Sequence, residues 1–371
     1  MTELKEICKV QCGFAFDSKK FTEDDSFSPL IRIRDVKRGF TQTYYTGEFS
    51  YEYIVHKGDL LVGMDGEFNI ARWNSEDALL NQRVCRIIAN NNVNEEYLRF
   101  YLKRTLKLIE SKTSFVTVKH LSVKELNGLR LNLPCMEDQQ RISKQLSMLE
   151  LVIRKNNREL ELLDELVRAR FVEMFGTIYD KKFDMKTLPD IVSSDKNSIK
   201  RGPFGGALKK EDFLEDGYMV YEQRHAIHED FEYAKYYVSP EKYESMIGFK
   251  VVPGDLIISC SGTLGRIAEV PMGAKEGIIN QALLKISLNK DIMNNQFFIY
   301  QFRCKEIQDM LFGISRGSGI ANMPSMNEVK AFKFICPPLE IQNQFASFVQ
   351  EIDKSRLLSN HSLYLIKSIN F

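Results

Sequence analysis

The chain has 371 residues, 44% hydrophobic and 27% charged, with 51 Lys and Arg against 50 Asp and Glu for a net charge of +1. It is too long for one ordinary domain and apolar enough to bury a core in each half, which excludes a disordered chain. The charge balance excludes the strong basic excess of an autonomous DNA binder while leaving room for a locally positive groove, and no apolar run approaches the roughly 18 residues of a membrane-spanning helix.

At the N-terminus no charged and apolar leader is present, so a soluble, cytoplasmic protein is expected. The seven cysteines are odd in number and lack framework spacing, which suits a reducing compartment. Cys8 and Cys12 lie four apart, but with no second Cys/His pair at a useful distance they read as ordinary thiols rather than metal ligands. Gly13 to Phe21 contains Lys19-Lys20, and then come Gly58-Asp-Leu-Leu61, Asn81-Gln82, and Tyr97-Leu98 with Phe100. Ser122-Val-Lys-Glu125 has the S-x-x-E pattern of a capping box that starts a short helix. Leu131 and Leu133 alternate as in a strand that Pro134 ends, and Glu137-Asp-Gln139 begins a further helix.

That helix runs to Phe175 without proline or glycine. Apolar residues recur at alternating intervals of four and three, at Ile142, Leu146, Leu149, Ile153, Leu160, Leu163, Val167 and Met174, with Asn156 and Arg170 in the remaining positions. This is a coiled-coil seam, about 58 Å long at 1.5 Å per residue.

The rest of the chain repeats the first part. Ser122 to Arg168 lies over Ser325 to Phe371 without a gap: Ser325-Met-Asn-Glu328 repeats the capping box, Phe334, Cys336 and Pro337 the strand and its stop, and Glu340-Ile-Gln342 the helix start. Further upstream, Gly205 to Phe213 with Lys209-Lys210 is aligned with Gly13 to Phe21. Gly254-Asp-Leu-Ile257, Asn280-Gln281 and Phe297-Phe298 with Tyr300 repeat the other landmarks. The second seam holds Phe345, Val349, Ile352, Leu363 and Ile366, with Ser359 where Asn156 stands in the first. Polar residues in apolar seams fix register, so Asn156 and Ser359 are expected near each other in an antiparallel pair; the alternative is that each is a tolerated surface-leaning position. The expected fold is α+β: mixed α/β domains over 1–136 and 177–338, separated by long antiparallel helices over 137–176 and 339–371 that form a coiled coil about an internal pseudo-two-fold axis.

Taken in order and twice over, the Gly-Asp turns at Gly58 and Gly254, the Asn-Gln pairs, the Glu-x-Gln helix starts after Pro134 and Pro338, "PPLEIQNQF" from Pro337 to Phe345 and "LLDELVRARFVEMFG" ending at Gly176 resemble the specificity subunits of Type I restriction–modification systems. The resemblance covers essentially the whole chain. It implies two target-recognition domains, each reading one half of a split double-stranded DNA sequence, and helices that set the gap and dock two methylation subunits. S-adenosylmethionine would belong to those partners, and ATP with Mg to restriction subunits that join them; the target adenine would be flipped into the partner's pocket. The second helix stops at Phe371, the counterpart of Arg168, so nothing matches Ala169 to Gly176; either the docking surfaces are unequal or the missing turn comes from elsewhere.

The residues themselves supply no catalytic constellation. The only Pro-Pro, in Cys336-Pro337-Pro338-Leu339, lacks the polar leader and aromatic follower of an adenine methyltransferase loop, and no Gly-x-x-x-x-Gly-Lys-Ser/Thr phosphate loop occurs. His225-Ala-Ile-His228 lacks a third metal ligand, and Arg316-Gly-Ser-Gly319 reads as a turn. DNA contacts are expected from Lys19, Lys20, Arg32, Arg34, Lys37, Arg38 and Arg72 in the first domain, and from Lys200, Arg201, Lys209, Lys210, Arg224, His225 and Arg266 in the second. Phe68 or Phe204 would serve as a wedge against bases. Two competing readings are a non-DNA coiled-coil scaffold for protein partners and an enzyme of unrecognised type.

Overall fold

The structure is a computed structural model that describes residues 1–112, 120–177, 180, 182–313 and 323–368. The chain divides into two compact units, one of Met1–Asn157 with Ser362–Phe371 and the other of Arg158–His361.

Unit 1 contains strands β1 (Thr2–Glu3), β2 (Cys8–Cys12), β3 (Phe21–Thr22), β4 (Ser28–Ile31), β5 (Tyr44–Tyr45), β6 (Ile54–Val55), β7 (Leu60–Gly63), β8 (Asn69–Arg72), β9 (Ala78–Leu80), β10 (Val84–Ala89) and β11 (Arg130–Leu131). Its helices are α1 (Leu4–Ile7), α2 (Ile33–Arg38), α3 (Glu95–Lys112), α4 (Val123–Asn127) and the start of α5 (Met136–Phe175). The strands form three sheets in the orders β1-β11, β2-β10-β7-β8 and β3-β5-β4-β9-β6, antiparallel except for β4 beside β9.

Unit 2 repeats this plan with β12 (Met185–Thr187), β13 (Ile199–Arg201), β14 (Tyr218–Tyr221), β15 (Tyr237–Val238), β16 (Lys250–Val251), β17 (Leu256–Ser259), β18 (Ile267–Glu269), β19 (Gly277–Ile279), β20 (Leu283–Ile286) and β21 (Lys333–Ile335). Its helices are α6 (Leu188–Ile191), α7 (Gln223–His228), α8 (Pro240–Ser245), α9 (Asn295–Arg303), α10 (Lys305–Phe312), α11 (Met326–Ala331) and most of α12 (Leu339–Ser368). The sheet orders β12-β21, β13-β20-β17-β18 and β15-β14-β19-β16 match those of unit 1, again with one parallel pair, β14 beside β19. Where unit 1 has β3, unit 2 has an isolated bridge between Leu214 and Tyr237.

The repeated motifs do the same physical work in both units. Gly58 and Gly254 take φ of +100° and +88°, a region that favours glycine. The following Asp accepts a backbone N–H three residues back, from His56 to Asp59 and from Val252 to Asp255, both at 2.9 Å. Each Asp then meets a cation from the neighbouring strand: Arg86 lies 2.8 Å from Asp59 and Lys285 lies 3.8 Å from Asp255. Ser122 and Ser325 form capping boxes with Glu125 and Glu328. Gln139 and Gln342, the third residue of each Glu-x-Gln, are buried clamps. Gln139 accepts the Asn94 N–H at 2.8 Å and donates to the Pro134 carbonyl at 2.9 Å; Gln342 accepts the Asn294 N–H at 2.8 Å and donates to Ile292 and Pro337 carbonyls at 2.9 and 2.7 Å.

The structure corrects one alignment. The partner of Gly13 is Gly202, not Gly205: a Cβ would fall 2.1 Å from the Asn81 carbonyl oxygen at Gly13 and 1.8 Å from that of Asn280 at Gly202. Their N–H groups bond Val84 and Leu283, the first residues of β10 and β20. Only glycine permits so close a backbone approach.

The core of unit 1 sets Leu98, Leu102 and Leu106 of α3, spaced by four and fully buried, against the β2-β10-β7-β8 sheet. At roughly 1.5–3 kcal/mol per buried leucine this face alone is a major source of stability. In unit 2 the corresponding core also takes in Val167, Phe171 and Phe175 of α5 with Phe345 and Val349 of α12.

In the part of α5 and α12 within unit 2, Arg356 pairs with Asp164 at 2.5 Å, Arg170 lies over the Phe348 ring, and Phe171 packs against Phe345. Contacts that rise along one helix fall along the other, so this stretch is antiparallel. Leu146, Leu149, Ile153, Asn156, Leu160 and Leu163 are partly covered, as are Ile352 and Ile366, while Val349, Ser359 and Leu363 are buried. Met148, Leu151, Val152, Leu162 and Leu166, off the seam, are exposed. No helix among the described residues is long and apolar enough to cross a membrane.

Candidate nucleic-acid interface

In each unit a strand of the parallel pair runs into a six-residue helix, β4 into α2 and β14 into α7. Both helices are held by a buried third residue that accepts the backbone N–H of the residue before the helix. In α2 this is Asp35, 2.8 Å from the Arg32 nitrogen and also bonded by Thr41 Oγ1; in α7 it is His225, whose Nδ1 lies 2.9 Å from the Glu222 nitrogen. His225 Nε2 is 2.8 Å from the Tyr233 carbonyl, so a neutral ring protonated on Nε2 satisfies both contacts. Both helices end in the left-handed region, at Gly39 and Glu229.

This arrangement places Arg34 and Arg224 at the second position of equivalent helices, with half-exposed guanidinium groups. Their carboxylate neighbours are at the long distances of 3.7 Å (Asp35) and 3.6 Å (Asp230), and Arg224 lies 4.1 Å over the Tyr233 ring. Around Arg34 the surface is concave. A cavity of about 650 Å³ is lined by Arg32, Arg34, Gln42, Thr43, Glu23 and Asp25 among others, and one of about 440 Å³ by Arg32, Arg34, Lys37, Glu67 and Asn69. Sequence reasoning found the arginines but missed Gln42, Thr43 and Asn69, polar groups of the type that read base edges; nothing in the sequence marks them, because the turn after α2 and strand β8 bring them there.

Other expected contact residues divide by their surroundings. Lys19, Lys20, Arg38, Lys209, Lys210 and Arg266 are exposed. Lys37 is exposed but paired with Glu67 at 2.9 Å. Lys200 lies over Phe249, and Arg201 over Phe204, which is 71% exposed; the buried Arg201 Nε has no hydrogen-bond partner among the described residues. Arg72 is committed to Glu95 at 2.6 Å, Glu96 at 2.5 Å and the Gly58 carbonyl, and so ties β8 to α3 and the Gly-Asp turn. His225 is 1% exposed, which moves it from the reading surface to the scaffold that supports Arg224. Its burial also separates it from the exposed His228, and no group of three metal-ligating side chains occurs among the described residues. Phe68 is buried in the unit 1 core and cannot act as a wedge, whereas Phe204 can. Arg316-Gly-Ser-Gly319 lies outside the described residues.

Cys8, Cys85, Cys260 and Cys304 have thiols pushed up by burial, Cys8 to about 11 and Cys260 and Cys304 to about 12, which makes them inert packing groups.

A family model described as the Type I restriction modification DNA specificity domain matches residues 1–164 and again 181–367. The EcoBI specificity subunit of a Type I restriction enzyme from Escherichia coli is 40% identical over 166 residues, 44% of this chain; the match spans 35% of that subunit. A putative MjaX specificity subunit from Methanocaldococcus jannaschii is 23% identical over 95% of this chain and 86% of its own length. Among solved structures, a Type I restriction–modification S subunit from M. genitalium aligns with a TM-score of 0.58 at 15% identity, covering 99% of this chain and 92% of that one. A chain from a structural study of type I R-M complex assembly gives 0.51 at 14% identity, with 99% and 94% covered. At these identities the structural likeness speaks for the fold alone.

Proposed function

We propose, from the premise that this chain belongs to the family of Type I restriction modification DNA specificity domains, that its DNA-recognition role is divided between its two units, each reading one half of a split target. The observation that supports this is the pairing of a repeated scaffold with unlike surfaces. Scaffold hydrogen bonds are repeated in role from Gln139 to Gln342, Asp59 to Asp255 and Asp35 to His225, while around the shared Arg34 and Arg224 other residues differ: Lys37 and Arg38 on α2 stand where Ile227 and His228 stand on α7. Equivalent mounts with different side chains recognise different base sequences.

On this reading the chain is a non-catalytic subunit. Two methylation subunits dock on the helical segments and bring S-adenosylmethionine to the adenine, and restriction subunits, where they join, bring ATP and Mg. Exposed apolar residues on α5, such as Leu162, Leu166 and Val172, suit protein docking rather than contact with water. The near-neutral charge fits a reader that shares phosphate contacts with its partners.

The test is to map methylated adenines in DNA exposed to this chain together with its methylation subunit. A two-part motif with an unread gap is expected. A contiguous motif overturns the division between units, and absence of any sequence-dependent DNA response in the assembled complex favours the protein-scaffold reading.

A further inference from the structure

We infer that Arg34 and Arg224 are paired specificity determinants, each reading a guanine in the half-site of its own unit; the inference rests on the two-reader function proposed above. Three shared observations converge on these two side chains, and each has one further feature of its own.

They occupy the same place in the repeat: the second residue of a six-residue helix that follows a parallel strand and is fastened by a buried third residue. A base-reading side chain needs a rigid mount, and Asp35 and His225 supply it with different chemistry. The guanidinium groups are exposed, and their carboxylate neighbours lie at 3.7 and 3.6 Å. Arg72, Arg99 and Arg356, by contrast, are held at 2.5–2.8 Å by theirs. Apart from one long hydrogen bond from Arg34 Nη2 to Thr43 Oγ1 at 3.5 Å, the donors of Arg34 and Arg224 therefore remain available to a ligand.

Charge then distinguishes a base edge from a phosphate. Glu67 and Glu229 are engaged by Lys37 and Arg303, but Glu23 and Asp25 line the concavity around Arg34 and Asp230 follows α7. These carboxylates oppose a close phosphate, but they tolerate the neutral, dipolar edge of a base pair. Finally, Tyr233 stacks under Arg224 at 4.1 Å and holds the planar fork, whose Nη2 lies 3.6 Å from Asp230. An arginine fork presented in this way matches the O6 and N7 acceptors of guanine in the major groove, and the cavity of about 650 Å³ beside Arg34 gives room for such an edge.

The experiment uses the full chain assembled with its methylation subunit on a randomised double-stranded DNA library, read by adenine methylation and by binding at several salt concentrations. Arg34→Ala should relax one guanine in one half-site by about 5- to 150-fold in discrimination and leave the other half-site unchanged; Arg224→Ala should do the converse. Arg34→Lys should also lose discrimination, because a single ammonium cannot form the paired bonds. Arg104→Ala, an exposed arginine of α3 outside the reading surface, should leave base preference unchanged. Circular dichroism of each variant shows that the fold is retained, as expected for exposed side chains. A uniform loss of affinity with unchanged base preference and a salt slope smaller by about one makes Arg34 a phosphate contact and overturns the inference while leaving the two-reader function intact. Unaltered recognition in the folded variants also overturns it. Failure of the two-reader function is separate, since the unsubstituted complex would then lack a two-part motif.

Discussion

Replacing Gln342 by alanine tests whether the Glu-x-Gln motif is a structural clamp. Gln342 is fully buried and makes three hydrogen bonds, accepting from Asn294 N–H and donating to the carbonyls of Ile292 and Pro337. Truncation orphans three backbone groups, each costing roughly 1–2 kcal/mol, so Gln342→Ala should destabilise unit 2 by about 3–6 kcal/mol. Gln139→Ala orphans two groups, the Asn94 N–H and the Pro134 carbonyl, and should cost unit 1 about 2–4 kcal/mol. Gln342→Met keeps most of the volume without the hydrogen bonds and should be nearly as damaging as alanine. Urea unfolding followed by hydrogen exchange assigns each loss to its unit. A cost below about 1 kcal/mol for Gln342→Ala, or recovery of wild-type stability by Gln342→Met, would show that the side chain only fills space and would refute the clamp.

Two further predictions concern stability. Burial alone would raise the Glu150 carboxyl, but hydrogen bonds from Arg99 and Lys103 outweigh it and hold the pKa at about 2, against 4.5 without those surroundings. The ionised form is therefore the stabilising one: its contribution is complete above about pH 5, is lost as the pH falls towards 2, and amounts to roughly 3 kcal/mol at most. Glu150→Gln should flatten that part of the acid-unfolding profile of unit 1, and an unchanged profile counts against the pairing. Gly202→Ala places a Cβ against the Asn280 carbonyl oxygen, which belongs to the backbone and cannot rotate away. A drop of several degrees in Tm is expected, and a wild-type Tm would mean that the two strands are not so closely apposed.

Much of the scaffold was legible because its devices are local. Capping boxes span four residues, the Gly-Asp turn needs only a positive φ and a nearby acceptor, and the Gln clamp follows its proline by five residues. The gapless overlay from Ser122 therefore translates directly into matching elements. Upstream, loop lengths differ, and the pairing of Gly13 with Gly202 was hidden behind a more similar-looking run at Gly205. Only the contact with Asn81 and Asn280, distant in sequence, identifies it. The same holds at the surface. Arg72 and Arg34 are chemically alike in a sequence, and what separates them is that Glu95 and Glu96 of α3 reach the first at 2.6 and 2.5 Å while Asp35 stays 3.7 Å from the second. His225 read as a polar candidate because the N3 slot of α2 is filled by an aspartate; a shared hydrogen-bond role left no shared letter.

Unit 1 is assembled from two pieces of chain, Met1–Asn157 and the stretch from Ser362 onward, whereas unit 2 is one continuous span. During synthesis all of unit 2 has emerged before Leu363, a buried residue of unit 1, leaves the ribosome. The first domain to be translated is thus the last to be completed, and the closure of its packing waits for a segment more than 200 residues downstream. Loop closure over that distance adds only slowly to the entropic cost, and a span already folded into unit 2 makes the effective loop shorter still. Until that segment arrives, whatever it contributes to unit 1 is missing, which makes the order of synthesis part of how this fold is reached.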